Sequence, residues 1–355
     1  MGRVTIRAVA EATGFSKTTV SFAFNDPNRI GKQTREKILA VAADLGYVPN
    51  PGARNLSLGR HGTIGLLLPQ NIPRAFANPY MSLILQGIGQ VCESEGHTLT
   101  LIPPIKESLL LGVRSAAVDG LITLGLDPGS ETVEVIRKRH LPFVTIDGRS
   151  GNGFPVVGIR DRELAGEAMR YVVEQGHRRV VVVSIIDARD FSEGSYVRNE
   201  RLVGYQHAFD QAVSAGDPSA ELLHLACDAT LAGGRAVVEQ LRELKPLPSA
   251  VLVMSDIVAI GIMERLFEIG LQVPGDISLV GFDDIPEAGI VRPQLTTVSQ
   301  PGEDKGRAAA EILMRMLRGE HVRPETVLHG RLLLRGTVSR PPAYAHGSLL
   351  SSLRP

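Results

Sequence analysis

Several apolar runs in this chain end on a hydrogen-bonding residue. PFVTI stops at Asp147, VVVV at Ser184, AVLVM at Ser255 and Asp256, and SLVGF at Asp283 and Asp284. A segment of helical pattern, NERLVGYQHAF, adds Arg201. If the runs are strands of an open parallel sheet, these residues lie outside its carboxyl edge, where such sheets bind ligands. Carboxylates and a guanidinium accept and donate several hydrogen bonds at once, which suits a polyhydroxylated neutral ligand. The alternatives are that the Asp residues cap the helices that follow while Arg201 pairs with one of them, or that two carboxylates form an acid/base couple. Neither a Ser/His/Asp or Cys/His set nor a metal-ligand cluster nor a phosphate loop is legible. No cofactor and no catalysis are expected, and His177 reads as structural.

The elements that must carry these residues alternate. Candidate strands are TIGLLLP (63–69), TLTLI (98–102), DGLITLG (119–125), PFVTID (142–147), RVVVVS (179–184), AVLVMSD (250–256) and SLVGFDD (278–284). Helical patterns between them end at Gly96, Gly176 and Gly270. Near-continuous apolar strands alternating with helices predict parallel sheets covered on both faces, and the length permits two.

The first 60 residues differ. They hold nine Lys and Arg against four acids, a surplus of five that the rest of the formally neutral chain offsets. A basic segment on an acidic body predicts a polyanionic partner for that segment. Three short helices are expected, capped by Thr5, Ser16 and Thr34 and stopped near Gly14, Asn25 and Gly46. On the middle one, KTTVSFAFN, Val20, Ala23 and Phe24 share a face with the cap Ser16. Lys17, Thr18, Ser21, Phe22 and Asn25 share the other. The short, Gly-containing connection from the first helix has helix-turn-helix spacing; a generic three-helix bundle is the plainer alternative. YVPNPGARNLSLGR (47–60) forms a short helix or a linker, with Ala53 and Leu56 on one face beside Arg54.

Cys92 and Cys227 are the only cysteines and share no metal-ligand spacing. With no apolar run of signal-peptide or membrane-span length, the expectation is a cytoplasmic protein without a membrane partner.

Residues 4–60 resemble the DNA-binding headpiece and hinge of the LacI/GalR family of bacterial transcription regulators. The matching residues are V-T-I, V-A, G-F-S, T-V-S and N, then G-Y-x-P-N, A-R and L. The resemblance implies that Lys17, Thr18 and Phe22 read bases in the major groove. Ser16, Ser21 and Asn25 hold phosphates or orient the helix, and Thr5, Thr19, Tyr47, Ala53 and Arg54 complete the DNA-facing set. Leu56 matches the hinge leucine that wedges into the minor groove of a palindromic operator. Phe22 departs from the commoner polar or basic residues at that position; it cannot donate a hydrogen bond to guanine, and its expected partner is a thymine methyl or a ring edge.

The body resembles the same family's effector domain, which is related to periplasmic sugar-binding proteins. The residues are N-P-Y at 78–80, D-G at 119–120, G-H-R-R-V at 176–180, R-L-V-G-Y at 201–205, S-D-x-x-A-x-G at 255–261, V-P-G-D-I-S-L-V-G-F-D-D at 273–284 and L-T-T-V-x-Q-P at 295–301. By that resemblance Asp147, Arg201 and Asp283 contact an effector, Tyr80, Ser255, Asp256 and Gln300 line the cleft, and Phe191 stacks on a ring.

The expected architecture is an all-α helix-turn-helix headpiece (1–48), a hinge (49–60) and an α/β body of two parallel-sheet subdomains (61–340). Residues 61–160 plus 293–325 would form one subdomain and 161–292 plus 326–340 the other, with a flexible tail (341–355). The implied function is a homodimeric repressor of sugar-utilisation genes on double-stranded palindromic operator DNA, relieved by a neutral sugar or glucoside. A sugar-binding transport receptor and a sugar-active enzyme are the alternatives.

Overall fold

The computed structural model describes residues 4–48, 61–151, 153–186, 195–213, 217 and 220–342. The chain divides into two compact units, Met1–Gly62 and Thr63–Pro355.

In the first unit, α1 (Ile6–Thr13), α2 (Lys17–Asn25) and α3 (Lys32–Asp44) pack three ways. Thr5 and Ser16 cap α1 and α2 by accepting from the Ala8 and Thr19 amides. Gly14 ends α1 at φ 74°, a left-handed conformation that glycine adopts without penalty. Val9, Ala10, Val20, Ala23, Ile38 and Ala42 form the core, with Phe24 and Tyr47 packed at its side. The third helix starts before the expected Thr34 cap, because Gly31 supplies the extended N-terminal backbone without any side-chain cap.

The second unit contains two six-stranded sheets. The first comprises β1 (Thr63–Leu67), β2 (Thr98–Ile102), β3 (Gly120–Leu124), β4 (Phe143–Ile146), β5 (Val156–Gly158) and β11 (Glu325–Val327). Their order is β11-β5-β4-β3-β1-β2, parallel throughout. The second comprises β6 (Arg179–Ile185), β7 (Glu221–Cys227), β8 (Ala250–Val253), β9 (Ser278–Asp283), β10 (Thr296–Ser299) and β12 (Arg331–Leu333), in the order β12-β10-β9-β8-β6-β7. Only β12 runs antiparallel to its neighbour. Each sheet reverses its strand order beside its first strand, the geometry that opens a ligand crevice at the carboxyl edge.

Helices cover both faces. α4 (Ile72–Ala75), α5 (Tyr80–Ser94), α6 (Leu109–Ser115) and α7 (Glu131–Lys138) lie in the first half. Then come α8 (Asp161–Glu174), α9 (Tyr196–Ala212), α10 (Leu231–Glu243), α11 (Asp256–Glu268), α12 (Pro286–Ile290) and α13 (Gly302–Leu317). Although late in the chain, α13 places Ala309, Ala310, Ile312 and Leu313 in the first sheet's core beside Ile64, Ile122 and Val144. It approaches α5 closely: a Cβ on Gly306 would lie 2.1 Å from the Ile84 carbonyl oxygen.

The chain therefore crosses between sheets after β5, after β10 and between β11 and β12. This differs from the expected assignment of 293–325 to the first subdomain and 326–340 to the second, since β10 pairs with β9 and β11 pairs with β5. The TTVS sequence of β10 reads as polar, yet Thr296 and Thr297 are fully buried. Their hydroxyls are satisfied, by the Arg335 amide at 3.0 Å and by Asp256 at 2.6 Å.

Candidate functional site

The carboxyl edges of the two sheets meet through a connected set of polar side chains. Asp147 follows β4, and its Oδ1 accepts from Lys305 Nζ at 2.6 Å. Lys305, on the first turn of α13 and 0% exposed, also donates to Gln300 Oε1 at 2.7 Å. Gln300 Nε2 donates to Asp283 Oδ1 at 2.5 Å, and the other Asp283 oxygen accepts from Ser255 Oγ at 3.0 Å. Ser255 in turn accepts from Asn78 Nδ2 at 3.2 Å. The path begins and ends on the first subdomain, at Asp147 and Asn78, and passes through the second.

Arg201 on α9 sits beside this path. Its Nε donates to Asp161 Oδ1 at 2.8 Å and its Nη1 to the Met254 carbonyl at 3.1 Å. The guanidinium carbon lies 3.5 Å from the Phe282 ring centroid, a cation–π contact in a desolvated setting. Tyr80, at the start of α5, packs against the cores of both sheets. Its hydroxyl is buried without a hydrogen-bond partner among the described residues. Burial, then the charges of Asp147 and Asp283, push its phenol well above the ordinary value, so it remains a neutral donor.

The backbone at the strand ends is unusual too. Asp147 has φ 56°, Asp283 134° and Asp284 60°, all in the region that L side chains rarely adopt. Such conformations cost about 1–3 kcal/mol each and persist where surrounding structure enforces them, often at ligand sites. Burial raises the Asp283 carboxyl to about 6, against the opposing pull of Arg201 and of the Gln300 and Ser255 hydrogen bonds. Burial likewise raises Asp161, with Arg201 pulling it back.

The structure brings together Tyr80, Asp147, Arg201, Ser255, Asp283 and Gln300 among the residues expected from sequence. Asp256 is not with them. Both its oxygens are used inside the second subdomain, by Thr297 Oγ1 at 2.6 Å and the Ile285 amide at 3.1 Å. It is 0% exposed and ties α11 to β10 and α12, so its carboxyl is structural. Asp284 pairs with Arg335 at 2.6 Å, and Ser184 donates to the Leu225 carbonyl at 3.4 Å. Phe191 lies outside the described residues. His177 is buried between Ser249 Oγ at 2.8 Å and the Ser339 carbonyl at 2.9 Å, as a structural histidine would be.

Lys305, Asp161 and Asn78 escaped the sequence reading. Asp161 and Lys305 look like ordinary first-turn residues of polar helix starts, and nothing local marks them as buried. Asn78 sits in the N-P-Y motif beside Tyr80, which was a usable signal. Among the described residues no three His, Cys, Asp or Glu side chains gather as a metal site, and no helix is long and apolar enough to cross a membrane.

In the first unit, Lys17 and Thr18 are exposed on α2, while Val20 and Ala23 are buried. Phe22 is half-buried, with the Arg29 guanidinium 5.2 Å from its ring centroid. Asn25 Nδ2 donates to Ser21 Oγ at 3.0 Å, which orients both toward the polar face. Ser16 Oγ bonds the Thr19 amide at 3.0 Å and the Thr19 hydroxyl at 2.8 Å. Thr5 accepts from the Ala8 amide, so its hydroxyl acts first as a cap. Tyr47 meets Phe24 edge-on at 5.5 Å, which gives it a packing role in the bundle. Ala53, Arg54 and Leu56 lie outside the described residues.

Both units of the chain resemble known proteins. Residues 5–50 match the model for bacterial regulatory proteins of the lacI family, and residues 169–338 match that for a periplasmic binding protein-like domain. The HTH-type transcriptional regulator IpsA of Corynebacterium glutamicum is 34% identical over 91% of this chain and 94% of its own length. The HTH-type transcriptional regulator CelR of Thermobifida fusca is 30% identical over 94% of this chain and 98% of its own. A solved transcriptional regulator CelR–cellobiose complex superposes with a TM-score of 0.67 at 27% identity, over 94% of this chain and all of that one. For the fold alone, a lac repressor dimer bound to operator gives 0.78 at 24% identity, over 95% of this chain and all of that one. The chain belongs to the lacI family of bacterial regulatory proteins and is a helix-turn-helix transcriptional regulator.

Proposed function

We propose that this regulator is a homodimeric, cytoplasmic repressor of sugar-utilisation genes, released from a palindromic operator when a small neutral sugar or glucoside binds between the two subdomains. The observation that carries the effector reading is the polar path from Asp147 to Asn78, with the Tyr80 hydroxyl, unpartnered among the described residues, beside it. Carboxylates, amides, a guanidinium and an ammonium arranged together offer both acceptors and donors, which matches groups that do both, namely hydroxyls. The cellobiose complex of a regulator at 27% identity supports the same ligand class.

On DNA, α2 is the element that enters the major groove, with Lys17, Thr18 and Phe22 toward base edges and Ser16, Thr19, Ser21, Asn25 and Thr5 toward the backbone. Two-fold symmetry of the protein pairs with the palindrome. Ala53, Arg54 and Leu56 of the hinge engage the minor groove, with Leu56 as the wedge. The effector acts by binding one arrangement of the two subdomains better than the other, and only that difference in affinity can move the operator equilibrium.

A thermal-shift screen of neutral sugars, followed by operator titration at fixed salt with and without the hit, tests this reading. The expected result is a raised melting temperature and at least tenfold weaker operator binding with sugar. A hit that leaves operator affinity unchanged refutes the coupling, and no hit among neutral sugars refutes the ligand class.

A further inference from the structure

We propose that Arg29 is a specificity-determining residue of the DNA interface, which reads a guanine in the major groove next to the base met by Phe22, with the phenyl ring as its platform. This rests on the reading of α2 as the groove helix and adds a base-reading group from outside that helix. Phe22 shares its face with Lys17, Thr18, Ser21 and Asn25, but its ring has no hydrogen-bonding group and can sense little beyond a thymine methyl. The chain beyond α2 supplies the missing donor. Asp26 closes α2, its amide donating to the Phe22 carbonyl at 3.0 Å. The 3₁₀ turn Pro27–Arg29 then folds the chain back, with the Arg29 amide donating to the Asp26 carbonyl at 3.1 Å. Arg29 thereby brings its guanidinium carbon to 5.2 Å from the Phe22 ring centroid.

Two contacts hold that guanidinium. The Phe22 ring supports one face, and Asp26 Oδ2 lies 2.9 Å from Nε on one edge. A guanidinium engaged through Nε still offers the paired N–H bonds of its Nη1–Nη2 end, the fork that fits O6 and N7 of guanine. The Arg29 side chain is 66% exposed, so a base edge can reach it. Charge decides between base and phosphate. Phosphate binding is driven by net positive charge and counterion release. Pairing with Asp26 cancels the local charge of Arg29 and sets a carboxylate where it would repel a phosphate, while the directional fork survives. The separation of 5.2 Å also exceeds the rise of about 3.4 Å between neighbouring base pairs, so the ring and the guanidinium address adjacent pairs rather than the same one.

The test is a cycle between side chain and base in the full chain. Wild type selects its preferred duplex from a random pool. Wild type, R29A, R29K and F22L are then titrated at several salt concentrations against that duplex and against duplexes with each base pair replaced in turn. Circular dichroism identifies the folded variants, and R29Q carries the cycle if R29A does not fold. The expected result is one G·C pair whose replacement by A·T weakens wild type by about tenfold or more. R29A should bind those two duplexes within about threefold of each other, keep its preferences elsewhere and keep the wild-type salt slope. R29K, which has the charge without the fork, should recover little of the discrimination. F22L keeps an apolar group but no ring, and should lose part of the same guanine preference because Arg29 has lost its platform. A uniform loss for R29A on every duplex, with a salt slope shallower by about one per headpiece, is the behaviour of a phosphate contact and overturns the base-reading role. R29A within about threefold of wild type on every duplex, while F22L alters base preference, overturns the role of Arg29 and leaves the groove reading of α2 intact. Unchanged binding by both variants on every duplex overturns the groove reading itself.

Discussion

Arg201 and Asp161 form an ion pair at 2.8 Å with both side chains only 7% exposed, and the guanidinium is simultaneously stacked on Phe282. The pair joins α9 to the first turn of α8, and Gly204 lets these helices approach closely, since a Cβ there would lie 2.2 Å from the Arg162 carbonyl oxygen. One arginine therefore joins the candidate site to the packing beneath it.

Replacing Arg201 by Ala leaves Asp161 and the Met254 carbonyl buried without their donor. Breaking a buried pair from one side costs about 3–5 kcal/mol. Urea denaturation of R201A should show that loss together with loss of effector binding. R201K keeps the charge but not the two-pronged donation and stacking, so it should be the milder variant.

Asp256 gives a pH prediction. Burial, then the neighbouring Asp283 charge, raises its carboxyl to about 8, while the bonds from Thr297 and the Ile285 amide oppose the rise. An acid raised in the folded state holds its proton where the unfolded chain has lost it. The contribution of Asp256 to stability is therefore fully present at low pH and is lost as pH rises from about 4, the unfolded value, toward 8. The slope is at most about 1.4 kcal/mol per pH unit for one proton. D256N mimics the protonated form and can still accept from Ile285 and bond Thr297. Denaturation at pH 5, 6.5 and 8 should show a shallower slope for D256N and equal or greater stability than wild type at pH 8.

The two phenylalanines of α2 should separate cleanly. F24A removes a ring that packs on the bundle core and on Tyr47, at a cost of about 2 kcal/mol. Hydrogen exchange of the α2 and α3 amides in the full chain should accelerate. F22R leaves those amides protected and changes which operator is preferred in a selection from random duplexes. Accelerated exchange in F22R instead would place Phe22 in the core.

G306A tests whether site geometry depends on close approach of α13 to α5. The added methyl meets backbone, which cannot rotate away, so about 1–3 kcal/mol of stability should be lost. Because Lys305 and Tyr80 ride on these two helices, effector affinity should fall with it, read by calorimetry at a temperature where the variant stays folded.

Local chemistry made much of this protein legible in its sequence. Apolar runs such as VVVV and FVTI, helix caps Thr5 and Ser16, and helix-ending Gly96, Gly176 and Gly270 encode their elements within a few residues. The two faces of α2 follow from its angular period, which separated Phe24 from Phe22. The short strands β5, β11 and β12 carry too few residues for a pattern, β7 alternates on an exposed edge, and β10 hides as TTVS because its hydroxyls find partners only across the sheet. Strand-end position also singled out Asp147 and Asp283, which the structure links through Lys305 and Gln300, yet it could not tell Asp283 from Asp256. Both follow apolar strands and both are buried; only the positions of Thr297, Ile285, Ser255 and Gln300 decide which carboxyl is used within the second subdomain and which joins the polar path toward Asp147. Lys305 shows the same limit. Its burial depends on a helix that packs on the first sheet only after the chain has returned from the second, 158 residues after Asp147, a distance over which the chain's local pattern carries no record of the partner.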